Sequence, residues 1–240
     1  MTEASAKTPK PENSKPVDVP ASSVTTKVRV ILVDDHPMVR QGLAQLINDE
    51  ADLCVCAEAD NATTALELID SSLPDLAIID ISMGGVDGIE LLKQLKTRRP
   101  GLATLVLSMH DEALYAERVL RAGARGYVTK QEAPGQVMTA IRLVLAGEVY
   151  VSEKIAARLL KLVTGSRVDN TQTPLGRLSN RELQVFRLIG GGMSIREIAE
   201  KLELSTKTIE THREHIKEKL SLKSSSELLR YAVQYGVSTT

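Results

Sequence analysis

Cysteine is scarce in this chain of 240 residues: only Cys54 and Cys56 are present, one residue apart in the apolar run LCVCAEA. With no histidine near them they build no metal site, and they read as reduced strand or core residues. Long apolar runs are missing too. No stretch approaches the ~18 apolar residues a membrane span needs, and the opening MTEASAKTPKPENSKP lacks the apolar centre of a secretory signal. A cytoplasmic protein with no membrane partner is the expectation. No internal repeat is evident, and the formal net charge is only −1.

That small net charge hides a division. Residues 24–150 carry 18 acidic against 12 basic side chains, whereas residues 176–236 carry 11 basic against 8 acidic. An acidic front and a mildly basic rear imply different partners. Residues 1–23 hold four of the nine prolines and almost nothing apolar, so they cannot offset the entropy cost of folding and read as a disordered leader. A second break, TGSRVDNTQTPLG, marks a linker over 151–177 that has a helical start. The predicted domains are therefore 24–150 and 178–240.

In the first domain, β-branched runs at 28–33, 53–58, 76–80, 103–108 and 126–129 alternate strictly with amphipathic stretches near 38–48, 62–71, 88–97, 112–122 and 133–146. Nearly continuous apolar strands in βα alternation predict a parallel sheet buried on both faces, an α/β doubly wound (βα)5 domain. The second domain shows only helical spacing, at 178–190, 195–202, 206–220 and 225–235. Ser179 with Glu182 and Ser194 with Glu197 form S-x-x-E capping boxes, and Ser205 is placed to N-cap the third helix. An all-α four-helix module is predicted.

Ligands of a doubly wound sheet lie beyond the carboxyl ends of its strands. Asp34 and Asp35 follow the first strand, Asp80 ends the third, Ser108 ends the fourth and Lys130 follows the fifth. Three carboxylates brought together repel unless a cation intervenes, and an all-oxygen donor set suits Mg2+. Asp80 is then placed to attack phosphorus, with Lys130 and the metal neutralising phosphoryl oxygens and the Ser108 hydroxyl hydrogen-bonding one of them. Asp49, Asp52, Asp60 and Asp87 fall away from the relevant strand ends and read as caps or solvated surface.

The DD pair at 34–35, Asp80, Ser108 and the GYVTK that ends in Lys130 resemble the receiver domain of two-component response regulators, a flavodoxin-like fold. The resemblance implies that Asp80 is the phosphoacceptor, Asp35 a direct metal ligand supported by Asp34, and Ser82 a ligand through its backbone carbonyl. It also implies that Tyr127 is the aromatic switch residue that follows Ser108, and that a sensor histidine kinase is a partner. Gly84, followed by Gly85, stands where the family commonly has proline.

In LSNRELQVFRLIGGGMSIREIAEKLELSTKTIETHREHIKEKL two helices meet at a short turn. Ile209, Ile216 and Leu220, helped by His212 or Arg213, share one face of the second helix, while Lys207, Glu210, Thr211, Glu214 and Lys217 face the other way, where a major groove can be read. This segment resembles the LuxR-type helix-turn-helix, and the pair of domains resembles the NarL/FixJ class of regulators. The resemblance places Lys207, Thr208, Glu210, Thr211 and Glu214 on the reading face, with Arg213 and Lys217 on phosphates. It implies promoter DNA as a partner and a homodimer on paired half-sites after activation. The unmodified receiver is expected to mask the recognition helix or to keep the chain monomeric.

Two other classes compete. A scaffold would use the helical module to bind protein alone. An aspartyl-phosphate phosphatase would need a second Asp two residues after the nucleophile, and Ser82 occupies that place. The expectation is therefore no enzyme beyond self-phosphotransfer and autodephosphorylation.

Overall fold

A computed structural model describes residues 27–83, 88–132, 134–163 and 174–237. The leader, the Gly84–Gly85 departure and the centre of the linker lie outside the described residues.

Five strands, β1 (Val28–Val33), β2 (Leu53–Ala59), β3 (Leu76–Ile79), β4 (Ala103–Ser108) and β5 (Gly126–Thr129), form one sheet in the order β2-β1-β3-β4-β5. Every pairing is parallel. This is the flavodoxin-like order, and its switch in direction puts the loops after β1 and β3 side by side. Between and after the strands run α1 (Pro37–Asn48), α2 (Ala62–Ser72), α3 (Gly88–Arg98), α4 (Glu112–Ala122) and α5 (Pro134–Leu145). Local chemistry fixes several starts. Pro37 sits in the first turn of α1, where its missing N–H costs nothing, and the side chains of Asn61 and Asp111 accept the Thr64 and Ala113 N–H groups at the heads of α2 and α4.

Alternate strand residues feed two cores. Val30, Leu32, Leu76, Ile78, Leu105 and Leu107 pack under α1 and α5. Ile31, Val33, Ala77, Ile79 and Val106 pack under α2, α3 and α4. Gly88 lets α3 approach the loop after β3, since a Cβ there would lie 2.5 Å from the Asp80 carbonyl oxygen.

After α6 (Glu153–Val163) and a 3₁₀ turn at Pro174–Arg177 come α7 (Asn180–Gly190), α8 (Ile195–Lys201), α9 (Thr206–Leu220) and α10 (Ser225–Val237). Both capping boxes form as the sequence predicts, and the Ser205 side chain accepts from the Thr208 N–H. α7 packs on α9 and α10 around Leu183, Phe186, Ile209, Ile216, Leu228 and Ala232. This core is continuous, through Ile155, Leu175 and Leu178, with the α4 side of the sheet. The two domains therefore meet along α4.

Candidate functional site

Parallel strands deliver the predicted acidic residues to one rim. The Lys130 ammonium lies 2.5 Å from Asp34 Oδ2 and 2.7 Å from Asp80 Oδ2, and the three side chains are only 5%, 4% and 1% exposed. Burial by itself would lower the Lys130 ammonium, but the charges and hydrogen bonds of Asp80 and Asp34 outweigh it and hold it above the ordinary lysine value. The Ser82 N–H donates to Asp80 Oδ1 at 2.9 Å, which fixes the carboxylate in the loop after β3. Asp35 stands further out, its side chain 34% exposed.

One donor atom from each of Asp34, Asp35, His36 and Asp80 falls within 4.8 Å of the others. Three of these donors are carboxylates, and Lys130 supplies one positive charge against their three, so a small hard dication fits both the ligand type and the charge excess. His36 is the member that sequence reasoning missed, although it adjoins Asp35. Its Nδ1 lies 2.6 Å from Asp35 Oδ1 and 3.2 Å from Asp34 Oδ1.

Around Ser108 runs a chain of short contacts. Its hydroxyl accepts from the His110 N–H at 3.2 Å and lies 3.4 Å from the Ser82 hydroxyl, which in turn lies 3.0 Å from His110 Nε2. Tyr127 is buried and donates its hydroxyl to the His110 carbonyl at 2.8 Å, the inward position for this side chain. The His110 ring stacks on Tyr115 of α4 with centroids 4.7 Å apart. Over the Tyr115 ring, 5.6 Å from its centre, sits the guanidinium of Arg187 from α7.

Burial first, and then the charge of Arg187, push the His110 imidazole down to about 4. An imidazole with a depressed value stabilises the fold above its ordinary titration range, and that contribution is lost as pH falls towards the folded value. Between about pH 7 and about pH 5 the loss is about 2 kcal/mol. Denaturant unfolding at the two pH values should show it in the native chain and show a smaller change in His110→Gln; equal changes in both would contradict this account.

The domain junction is built mainly from residues that no sequence pattern pairs. Arg118 of α4 donates to Asn180 Oδ1 at 3.0 Å and to the Leu175 carbonyl at 3.1 Å, 62 and 57 residues away. Between the domains lies a cavity lined by Asp35, Ser82, Met83 and His110 on one side and by Gln184, Arg187, Leu188, Lys201 and Leu202 on the other. α7 and the end of α8 thus roof the rim of the acidic pocket. The expectation that the receiver masks the recognition helix is corrected here. Lys207, Glu210, Thr211 and Glu214 on α9 are exposed, and Thr208, Arg213 and Lys217 are half-buried. The reason is geometric: α9 packs against α7, α8 and the 3₁₀ turn, so its polar face turns outward while α7 meets α4.

Four of the predicted DNA-reading side chains are also engaged locally. The Thr208 hydroxyl lies 2.7 Å from that of Ser205 at the helix start, Thr211 donates to the Lys207 carbonyl at 3.0 Å, and Lys217 pairs with Glu214 at 2.8 Å. Lys207, Glu210 and Arg213 have no such tie among the hydrogen bonds and ion pairs of the described residues. His212 and Arg213 both turn partly inward beside buried Ile209 and Ile216.

Comparison with known proteins agrees with this architecture. Residues 30–142 match the response regulator receiver domain family, and residues 176–232 match the family of bacterial regulatory proteins of the luxR type. The chain is 36% identical over 210 residues to the response regulator GacA of Pseudomonas viridiflava, covering 88% of this chain and 97% of that one. It is 38% identical over 211 residues to the oxygen regulatory protein NreC of Staphylococcus aureus, covering 86% and 97%. Among solved structures it is similar to RcsB from Salmonella enterica serovar Typhimurium bound to promoter rprA with the phosphomimetic BeF3−. That match has a TM-score of 0.60 and 30% identity over 87% of this chain and 99% of that one. A five-stranded parallel domain with an acidic rim, followed by a capped helix-turn-helix module, matches these relatives along almost their whole length, and the chain belongs to the response regulators that join a receiver domain to a LuxR-type domain.

Proposed function

We propose that this regulator takes a phosphoryl group on Asp80 from a sensor histidine kinase and thereby controls sequence-specific binding of α9 to promoter DNA. The observation that carries the reading is the Lys130 ammonium held between two buried carboxylates, with the Ser108 hydroxyl bordering the same loop. Attack of an Asp80 carboxylate oxygen on phosphorus forms the aspartyl phosphate while the phosphorus–nitrogen bond of the kinase phosphohistidine breaks and its imidazole leaves. Lys130 offsets charge on the phosphoryl oxygens, and the Ser108 hydroxyl exchanges its Ser82 and His110 contacts for a phosphoryl oxygen. Mg2+ at Asp34, Asp35, Asp80 and the Ser82 carbonyl would add charge neutralisation.

A phosphoryl group adds about −1.5 to −2 charges, so it favours whichever arrangement turns Ser108 and Lys130 towards it. Movement of Ser108 withdraws the support of His110, and with it the stack that carries Tyr115 and Arg187. The junction then loosens and two copies engage paired half-sites. Two modestly basic modules on one operator bind far more tightly than one, and Leu229 and Val233, exposed one turn apart on α10, offer an apolar face for pairing. Action on promoter DNA places the proposed function in the cytoplasm; among the described residues no helix is long and apolar enough to cross a membrane. Ser82 in place of a second acid accords with self-phosphotransfer and self-hydrolysis rather than turnover.

Labelling by a phosphohistidine kinase or by acetyl phosphate in Mg2+ tests the acceptor. One label per chain is expected, with none on Asp80→Asn; label that persists there means the acceptor lies elsewhere. A mobility-shift titration with genomic fragments tests the output. Salt-sensitive sequence preference is expected, and its absence would favour a protein-binding scaffold.

A further inference from the structure

Arg187 lines the cavity between the domains and carries a donor that the fold leaves unpaired. Arg187 Nη1 is buried, and no hydrogen-bond acceptor meets it among the described residues. A buried cationic donor left without an acceptor is costly, yet the side chain is fixed there by the Tyr115 ring beneath it. Lys201 lines the same cavity, of about 150 Å³, so two basic side chains of the effector domain border it. Facing them across the space are Ser82, the hydrogen-bonding side chain of His110 and, at the metal cluster, Asp35. The charge of Arg187 is felt at both His110 and Tyr127, the two residues that surround Ser108. Cations on one wall and a metal-binding carboxylate on the other suit an anion that arrives with a divalent cation, and suit neither an anion nor a cation alone.

We propose that this cleft is a phosphate-oxyanion site completed across the domain junction, in which Arg187, assisted by Lys201, binds oxygens of a small acyl phosphate donor. The proposal rests on Asp80 being the phosphoacceptor. In the transfer, an oxygen of the Asp80 carboxylate forms the new bond to phosphorus while the bond from phosphorus to the acyl oxygen breaks. The electron pair leaves on the departing carboxylate, and no proton is needed. The docked effector domain then assists transfer from small donors, whereas a roof that only obstructs would slow it.

The test uses the full chain with radiolabelled acetyl phosphate and Mg2+, following initial labelling against donor concentration and then loss of label after the donor is removed. If Arg187 holds the donor, Arg187→Ala raises the half-saturating concentration on the order of tenfold while the limiting rate changes little. Arg187→Lys, which keeps the charge, recovers part of the effect, and Lys201→Gln produces a smaller one. Circular dichroism on each variant separates these outcomes from misfolding. Absence of label on the native chain, or label on Asp80→Asn, would remove the acceptor assignment itself. Label that depends on Asp80 but is unchanged or faster in Arg187→Ala, whatever its lifetime, would leave that assignment standing and overturn the oxyanion site.

Discussion

Replacing Lys130 with alanine should destabilise the receiver by about 3 kcal/mol near neutral pH without added metal, because it leaves two buried carboxylates facing each other without a cation. Asp34 and Asp80 are 4% and 1% exposed at their side chains, so water cannot take over the ammonium's role. Millimolar Mg2+ should restore most of the loss, since a dication supplies the missing charge at the same oxygens. The variant is therefore expected to gain more stability from Mg2+ than the native chain, measured as the shift in denaturant midpoint on titration. The alkaline limb should differ as well. Lys130 is held above its ordinary value, so its contribution is present below about pH 10.5 and is lost as pH rises through the folded value; the variant should lack that loss. A Lys130→Ala chain as stable as the native one and indifferent to Mg2+ would mean that the pocket is not organised by charge.

Glu182→Ala should cost the effector domain about 2–3 kcal/mol, combining loss of half a capping box with separation of an ion pair buried on its carboxylate side. One Glu182 oxygen accepts the Ser179 N–H at 2.7 Å, and the Lys219 ammonium lies 2.9 Å and 2.6 Å from the two oxygens. The contact ties the first turn of α7 to the last turn of α9. Burial works to raise the Glu182 carboxyl, but Lys219 and the Ser179 backbone outweigh it and hold it below the usual carboxylate value. Its contribution is thus present above the ordinary carboxylate range and is lost as pH falls through the folded value. Lys219 is 41% exposed at its side chain and can turn to water, which keeps the cost at the low end for a broken pair. Glu182→Gln retains an acceptor and should cost about half as much. Unfolding followed by the helical signal separates the variants, and a loss below about 0.5 kcal/mol in Glu182→Ala would show that the apolar core alone positions α9.

Much of the architecture was legible because its causes are local. Parallel strands had to be apolar on both faces, so period and composition exposed all five, and the topological rule then placed the residues after β1, β3, β4 and β5 on one rim. The capping boxes at Ser179 and Ser194 were readable for the same reason, since each closes within four residues. His36 is not legible from carboxylate spacing although it adjoins Asp35, because its reach to Asp34 and Asp35 depends on how the chain turns after β1. The masking expectation failed at a different level. Which face of α9 is polar follows from helical period, but which helix of its module meets α4 does not.

Sequence alone determined the order of elements, the two domains, the chemistry gathered at the rim and the polar face of the recognition helix, because each follows from periodicity, capping or strand-end position. Only the tertiary structure decided that Arg118 would reach Asn180, that Arg187 would rest on Tyr115, and that the rim would be roofed by α7 and α8 rather than by α9. Those contacts join residues 62 and 72 positions apart across the domain junction. They depend on shape and charge matching between finished surfaces, which no local pattern encodes.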